Sequence, residues 1–251
     1  MKKKIVILGS TGSIGSTTVQ IVKNNLKDFD VIAISTNKNI KKIYQQANQI
    51  KVKNIIINDE QSYLKFIKKF NKTKIKVFKN HSDFKKYLKI KIDYTMCSIS
   101  GLDGLKPTLD AINYSKTVGI ANKETIICAW NLIKKELIKN KTKFIPVDSE
   151  HFSIWYALKN LPSSEIEKVY LTASGGPLLK FSKLKLKNVK LSQALKHPTW
   201  KMGKKISIDS CTMMNKVFEV IEAKHLFNLS YKKITVLTHP NSYIHALVKF
   251  K

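Results

Sequence analysis

Residues 4–15 constrain the fold more than any other stretch of this chain. KIVIL is a run of apolar and β-branched residues, GSTGSIG follows at once, and a helical pattern then runs through Val19, Ile21 and Val22. A strand that enters a glycine turn and opens a helix lets the backbone approach a pyrophosphate, which then sits at the positive end of that helix. The spacing here is GxxGxxG, not the commoner GxGxxG, so the strand–turn–helix context carries the reading. Alternation continues downstream. Helical patterns cover residues 40–50 and 61–70 and follow Pro107, and strand-like runs cover 31–34, 55–57, 75–78, 94–97 and 117–120. Such a chain builds a mostly parallel sheet with helices on both faces, and its ligand lies beyond the carboxyl ends of the strands. An N-terminal, Rossmann-like, doubly wound domain is therefore expected over residues 1–147.

Two strand ends in this half carry candidate ligand contacts. After residues 31–34 comes Ser35-Thr36-Asn37-Lys38-Asn39, with no acid to hold a ribose 2′-hydroxyl and with a lysine suited to a 2′-phosphate. NADPH is expected over NADH on that ground. Asn122, Lys123 and Glu124 fall at the end of the strand over 117–120.

Composition excludes several functions. All 46 basic residues are lysine, and the formal net charge is +29. Arginine, the residue of choice for bidentate phosphate and guanine contacts, is absent. The lysines are spread along the chain, and Lys, Asn and Ile share A/T-rich codons, so no specific nucleic-acid partner is expected. No apolar run approaches the length of a membrane span. The opening residues lead straight into a strand and not to a cleavage site, so a cytoplasmic location is expected. Three cysteines without a CxxC pair fit a reducing compartment.

The second half, residues 148–251, concentrates polar chemistry and reads as an α+β catalytic domain. A short strand over 144–147 precedes Asp148, Ser149, Glu150 and His151. In an extended segment Asp148 and Glu150 point the same way. With Glu219 they make a hard oxygen site suited to Mg²⁺ or Mn²⁺; His151 is expected behind these carboxylates and not as a ligand. A strand then runs into Ser174-Gly175-Gly176-Pro177, where a hydroxyl and open backbone amides can cradle an anion. His197, Trp200 and Met202 lie in a segment bounded by proline and glycine, read as a mobile loop. Residues 206–210 (ISIDS) alternate like a short strand. Asn215 and Lys216 follow, then Glu219 and Glu222, three apart and so able to share one helix face. This set suits a small, anionic, polyhydroxylated ligand. Strands are expected over 234–237 and 243–250, with His239 between them in a structural role.

GSTGSIG, ANKE, PVDSEH, LTASGGP, HPTWKMGKKISIDSCTMMNKVFEVIEA and HPNSYIH together resemble the 1-deoxy-D-xylulose 5-phosphate reductoisomerases, in order from Ile5 to about Lys249. The resemblance implies conversion of 1-deoxy-D-xylulose 5-phosphate to 2-C-methyl-D-erythritol 4-phosphate with NADPH and Mn²⁺ or Mg²⁺, the committed step of non-mevalonate isoprenoid synthesis. It implies dinucleotide contacts at Thr11, Gly12, Ser13 and Ile14, at Asn37, Lys38 and Asn39 for the adenosine phosphate, and at Asn122, Glu124 and Gly203 for the nicotinamide side. Asp148, Glu150 and Glu219 match the metal ligands and, with Lys123, the catalytic residues. Lys123, Ser149, Glu150, Ser174, His197, Ser210, Asn215, Lys216 and Glu219 match the substrate pocket, and Trp200 and Met202 the flap that closes it. Asn37 replaces the family's usual glycine, and Val217 replaces a small residue that the family carries after Asn-Lys, a change expected to shift the helix bearing Glu219. The family continues beyond Lys251 into a C-terminal helical domain, so a truncated catalytic domain is expected, and a homodimer when complete. The competing reading is a non-catalytic remnant that binds NADPH only; a dehydrogenase of another sugar phosphate is a third.

Overall fold

The computed structural model describes residues 1–159, 161–196 and 203–251, which form two compact units, Met1–Ile145 and Pro146–Lys251. The first unit alternates strand and helix: β1 (Lys3–Leu8), α1 (Ser13–Asn24), β2 (Phe29–Thr36), α2 (Ile40–Gln49), β3 (Asn54–Ile57), α3 (Glu60–Lys69), β4 (Lys76–Phe78), α4 (His81–Tyr87), β5 (Ile92–Cys97), α5 (Leu105–Tyr114), β6 (Ser115–Ile120), α6 (Lys123–Asn140) and β7 (Lys143–Pro146). The strands lie in the order β4-β3-β2-β1-β5-β6-β7, and β4 through β6 pair in parallel. Winding therefore runs outwards from β1 in one direction and from β5 in the other. Right-handed crossovers then put successive helices on opposite faces of the two halves, which is the Rossmann-like, doubly wound arrangement. The reversal falls between β1 and β5, where a ligand crevice opens beyond the strand ends. Ile55, Ile56 and Ile57 of β3 are all fully buried, as a strand covered on both faces requires. Around them Val19, Val22, Ile34, Ile43 and Phe66 close the core between sheet and helices.

The second unit holds α7 (Ser149–Leu158), β8 (Ile166–Ala173), α8 (Lys183–Leu186), α9 (Leu191–Ala194), α10 (Lys204–Cys211), α11 (Met214–Phe227), β9 (Ile234–Thr238) and β10 (Ala246–Phe250). Its sheet has the order β10-β8-β9, with β10 antiparallel and β9 parallel to β8. Ile154 and Leu158 of α7 and Ala223 and Phe227 of α11 pack with Val169 and Leu171 of β8, against which Ala246, Val248 and Phe250 of β10 also press. The opposite face leaves Leu237 and Leu247 exposed.

Three sequence expectations fail here. Residues 206–210 are helical in α10, not a strand. Their isoleucines favour a strand, but Ser207 Oγ donates to Gly203 O at 3.0 Å and Lys205 pairs with Asp209 at 2.6 Å, one helical turn apart. Glu150 is not in an extended segment but in the first turn of α7, with Asp148 as the preceding cap residue. The last strand begins at Ala246, not Tyr243, because residues 239–242 form a turn in which Tyr243 N donates to His239 Nε2 at 3.1 Å. No helix among the described residues is long and apolar enough to cross a membrane.

Candidate active site

In the first unit the glycine loop is shaped by close approach. Gly9 has φ +78°, and a Cβ on it would lie 2.7 Å from Ser98 O, just beyond β5. A Cβ on Gly15 would lie 2.2 Å from Gly9 O, so only glycine lets α1 start this close to the loop. Helix α1 begins without a side-chain cap and without an acid in its first turn, and Gly12, Ser13 and Ile14 are exposed. Its amide end is thus open to an anion.

Polar bonds tie this loop to the end of β2. Thr11 Oγ1 meets Thr36 Oγ1 at 2.8 Å, Lys42 Nζ donates to Thr11 O at 2.9 Å, and Gly9 N donates to Ser35 Oγ at 2.8 Å. Residues 37–39 are all exposed there, and the Asn39 side chain caps α2 by accepting from Lys42 N at 3.1 Å. Asp59 was not foreseen in the reading of this corner: it caps α3, and its carboxyl is held below the usual range by Ser62 and by the nearby Lys38 ammonium.

Asn122 is buried, and its amide is engaged by the protein itself. Nδ2 donates to Ile99 O and to Gly101 O at 2.6 Å, while Oδ1 accepts from Thr125 N at 3.1 Å to cap α6. It clamps the loop after β5 to the start of α6, where Lys123 is buried and Glu124 half-buried.

The second unit gathers its polar residues where α7 and α11 begin. Asp148, Glu150 and Glu219 each bring a carboxylate oxygen within 4.8 Å of the others. Helix α11 carries Glu219 and Glu222 on one buried face, as their spacing implies. Lys216 Nζ reaches Glu150 Oε1 at 2.8 Å and also bonds Glu219, while Asn215 Nδ2 donates to Glu219 Oε1. Ser149 Oγ donates to Glu150 Oε2 at 2.8 Å. The corner between α10 and α11 is turned by Met213 at φ +61°, a left-handed conformation that a side chain of this size adopts only where its surroundings enforce it. That corner joins the end of α10 to the start of α11: Met213 N donates to Ser210 O at 3.2 Å, and Lys216 N donates to Met213 O at 3.0 Å. The glycine turn after β8 packs here too: a Cβ on Gly176 would lie 2.8 Å from Ser210 O, so Ser174 and Ser210 fall in one neighbourhood. Gly203 is exposed at the start of α10. Val217 is 48% exposed, on the side of α11 away from Lys216 and Glu219, which are buried. His197, Trp200 and Met202 lie outside the described residues.

Crowding of like charge shows in the titration of these groups. Burial, and then Glu219 and Asp148, push the Glu150 carboxyl up to about 7. Burial works against the Lys216 ammonium, but Glu219 and Glu150 outweigh it and hold its pKa above the usual value. Behind the trio, His151 is fully buried. Its Nε2 lies 2.9 Å from Glu219 O, and its Nδ1 lies 3.4 Å from Glu222 and 3.6 Å from Asp148. Burial disfavours the charged ring, yet Glu222 and Asp148 lift its pKa to about 9. Glu222 was read only as a helix-face residue, because its pairing with a histidine 71 positions earlier leaves no local signal.

A family model described as 1-deoxy-D-xylulose 5-phosphate reductoisomerase matches residues 5–130, and one for the C-terminal domain of the same enzyme matches residues 144–227. The chain belongs to the 1-deoxy-D-xylulose 5-phosphate reductoisomerase family. A reductoisomerase from Pelagibacter ubique is 56% identical over 250 residues, which cover 99% of this chain and 64% of that protein. One from Wolbachia pipientis is 41% identical over the same shares. Among solved structures, the Zymomonas mobilis reductoisomerase in complex with NADPH superposes with a TM-score of 0.89 at 35% identity, covering 100% of this chain and 65% of its own. A reductoisomerase in complex with NADPH, fosmidomycin and magnesium superposes with a TM-score of 0.90 at 32% identity, covering 99% and 64%. The chain thus spans 64% of the length of the first two relatives.

Proposed function

We propose that this chain performs the family reaction, the NADPH- and divalent-cation-dependent conversion of 1-deoxy-D-xylulose 5-phosphate to 2-C-methyl-D-erythritol 4-phosphate. The observation that carries the proposal is the convergence of Asp148, Glu150 and Glu219 with Asn215 and Lys216 beside them. The donor set fits Mg²⁺ or Mn²⁺: three hard oxygens, partly buried, with the Glu150 carboxyl pushed up to about 7 by burial and by its neighbours Glu219 and Asp148, a crowding of negative charge that a dication relieves. When bound, the cation supplies Lewis acidity towards substrate oxygens, and NADPH supplies the hydride.

The remaining roles fall to the chain's own groups. The open end of α1 takes the pyrophosphate, and Lys38 with Asn37 and Asn39 takes the adenosine phosphate. Glu124 and Gly203 serve the nicotinamide side directly, and Asn122 serves it by holding its loop. Ser174, Ser210, Asn215 and Lys216 bind the substrate phosphate, with His197 assigned to the same task by its motif. Lys123 and Ser149 contact the remainder of the substrate, and the motif assigns Trp200 and Met202 to the cover that keeps water from the reacting carbonyl. Assembly of the complete protein as a homodimer, in a reducing cytoplasm, completes the reading.

The test is incubation of the chain with 1-deoxy-D-xylulose 5-phosphate, NADPH and Mn²⁺, following NADPH absorbance and identifying the product by mass spectrometry. Equimolar NADPH loss and 2-C-methyl-D-erythritol 4-phosphate formation, abolished by EDTA, is expected. Tight NADPH binding with no Mn²⁺-dependent turnover would instead support a dinucleotide-binding remnant.

A further inference from the structure

We propose that Glu222 is a positioning residue for the cation site, acting on Asp148 and Glu219 through the imidazole of His151. The inference rests on the metal assignment proposed above and adds a residue to it. Glu222 and His151 are buried to 1% and 0% exposure, out of reach of bulk solvent. The ring spans the two segments that supply the outer carboxylates. Its Nε2 donates to the main-chain carbonyl of Glu219, 2.9 Å away, which ties it to α11. Its Nδ1 points between Asp148 Oδ1 at 3.6 Å and Glu222 Oε2 at 3.4 Å.

A carbonyl oxygen only accepts, so Nε2 carries a proton and the ring's orientation is decided at the other edge. There Glu222, one turn beyond Glu219 on the same helix, is the nearer carboxylate. It fixes rotation of the ring, and the ring in turn fixes Asp148 at the head of α7 and the backbone that carries Glu219. Asp148 belongs to both groupings, with Glu150 and Glu219 on one side and with His151 and Glu222 on the other. Carboxylates and histidines placed behind metal ligands in this way set ligand orientation, and their loss weakens metal binding by roughly 10- to 100-fold.

The experiment is Mn²⁺ titration of the 251-residue chain by electron paramagnetic resonance, with NADPH affinity and thermal midpoint measured on the same samples. Glu222→Gln is expected to weaken Mn²⁺ binding at least about tenfold while NADPH affinity stays within about twofold. Glu222→Asp, which keeps the charge but withdraws it from the ring, gives a smaller loss in the same direction and serves if the glutamine variant does not fold. In a His151→Gln background neither substitution at 222 weakens Mn²⁺ binding further, because the ring through which Glu222 acts is gone. A lowered thermal midpoint with unchanged Mn²⁺ affinity would show that the pair only cements α7 to α11, and fully additive losses would show that Glu222 does not work through His151. A wild-type chain that binds no Mn²⁺ would overturn the metal assignment itself and this inference with it.

Discussion

Replacing Lys216 with methionine separates two roles that the structure gives this side chain. Lys216 is buried, 7% exposed, and its ammonium is shared between Glu150, at 2.8 Å, and Glu219. In the metal-free protein it therefore acts as the cation of the carboxylate cluster, and a dication must compete with it. At an effective dielectric of about 20, one pair at that separation attracts by roughly 6 kcal/mol, most of which is offset by desolvation. A net value of about 1.5–3 kcal/mol is typical of a charged hydrogen bond. Lys216→Met should then tighten Mn²⁺ binding by roughly 10- to 100-fold at pH 8, at about 1.4 kcal/mol per decade. The same change should destabilise the metal-free second unit by about 3 kcal/mol or more, since it leaves buried carboxylates without their partner. Binding of the substrate phosphate should weaken. Mn²⁺ titration by electron paramagnetic resonance, with urea unfolding in EDTA and in saturating Mn²⁺, reads both effects. Mn²⁺ affinity that is unchanged or weaker in the variant would refute the competition argument.

Three further outcomes are expected. NADPH should bind more tightly than NADH by roughly ten- to a hundredfold, from one charge-assisted contact of about 1.5–3 kcal/mol at Lys38, and Lys38→Met should erase the difference in a fluorescence titration. Stability of the metal-free protein should fall as pH rises from 6.5 to 9. Glu150 and His151 both bind protons more tightly folded than unfolded (about 7 against 4.5, and about 9 against 6.5), so both contributions are lost with rising pH. Saturating Mn²⁺ should reverse the Glu150 part, and His81 of the first unit, pushed down to about 4 by burial, acts in the opposite sense only below pH 6.5; a urea midpoint that climbs between pH 6.5 and 9 would count against the site as described. Finally, β9 and β10 each pair only with β8 among the described residues, so their amides should exchange hydrogen sooner than those of β1 and β6, which are flanked on both sides. Equal protection across all four strands would contradict that.

The first unit was legible because its information is local. The close approach of Gly15 to Gly9, the apolar strands and the missing acid after β2 act within a few residues of their own positions, whereas the packing of Gly9 on Ser98 does not show in its neighbours. In the second unit the residues of the carboxylate cluster were legible, but not the geometry that joins them. Asp148 and Glu150 converge because α7 begins between them, not because the chain is extended there. The alternation in residues 206–210 misled because five residues cannot separate a strand from a helix, and the Lys205–Asp209 pair and the Ser207 back-bond decide for the helix. Lys216 was assigned to the substrate pocket; its place among the carboxylates depends on α7, 66 residues earlier. The His151–Glu222 contact is longer-range still. Asn122 was read as a ligand contact from its motif, and its pairing with Ile99 O and Gly101 O cannot be seen in the residues around it.

Asp148→Asn, Glu150→Gln and Glu219→Gln, each titrated with Mn²⁺ beside the wild-type chain, test the carboxylate assignment most directly. One stoichiometric site in the wild type, weakened at least about a hundredfold in every one of the three while NADPH affinity holds, is the expected pattern, since each substitution removes a charged ligand. A stoichiometric Mn²⁺ site that survives any of the three with its affinity intact would show that the cation is held elsewhere.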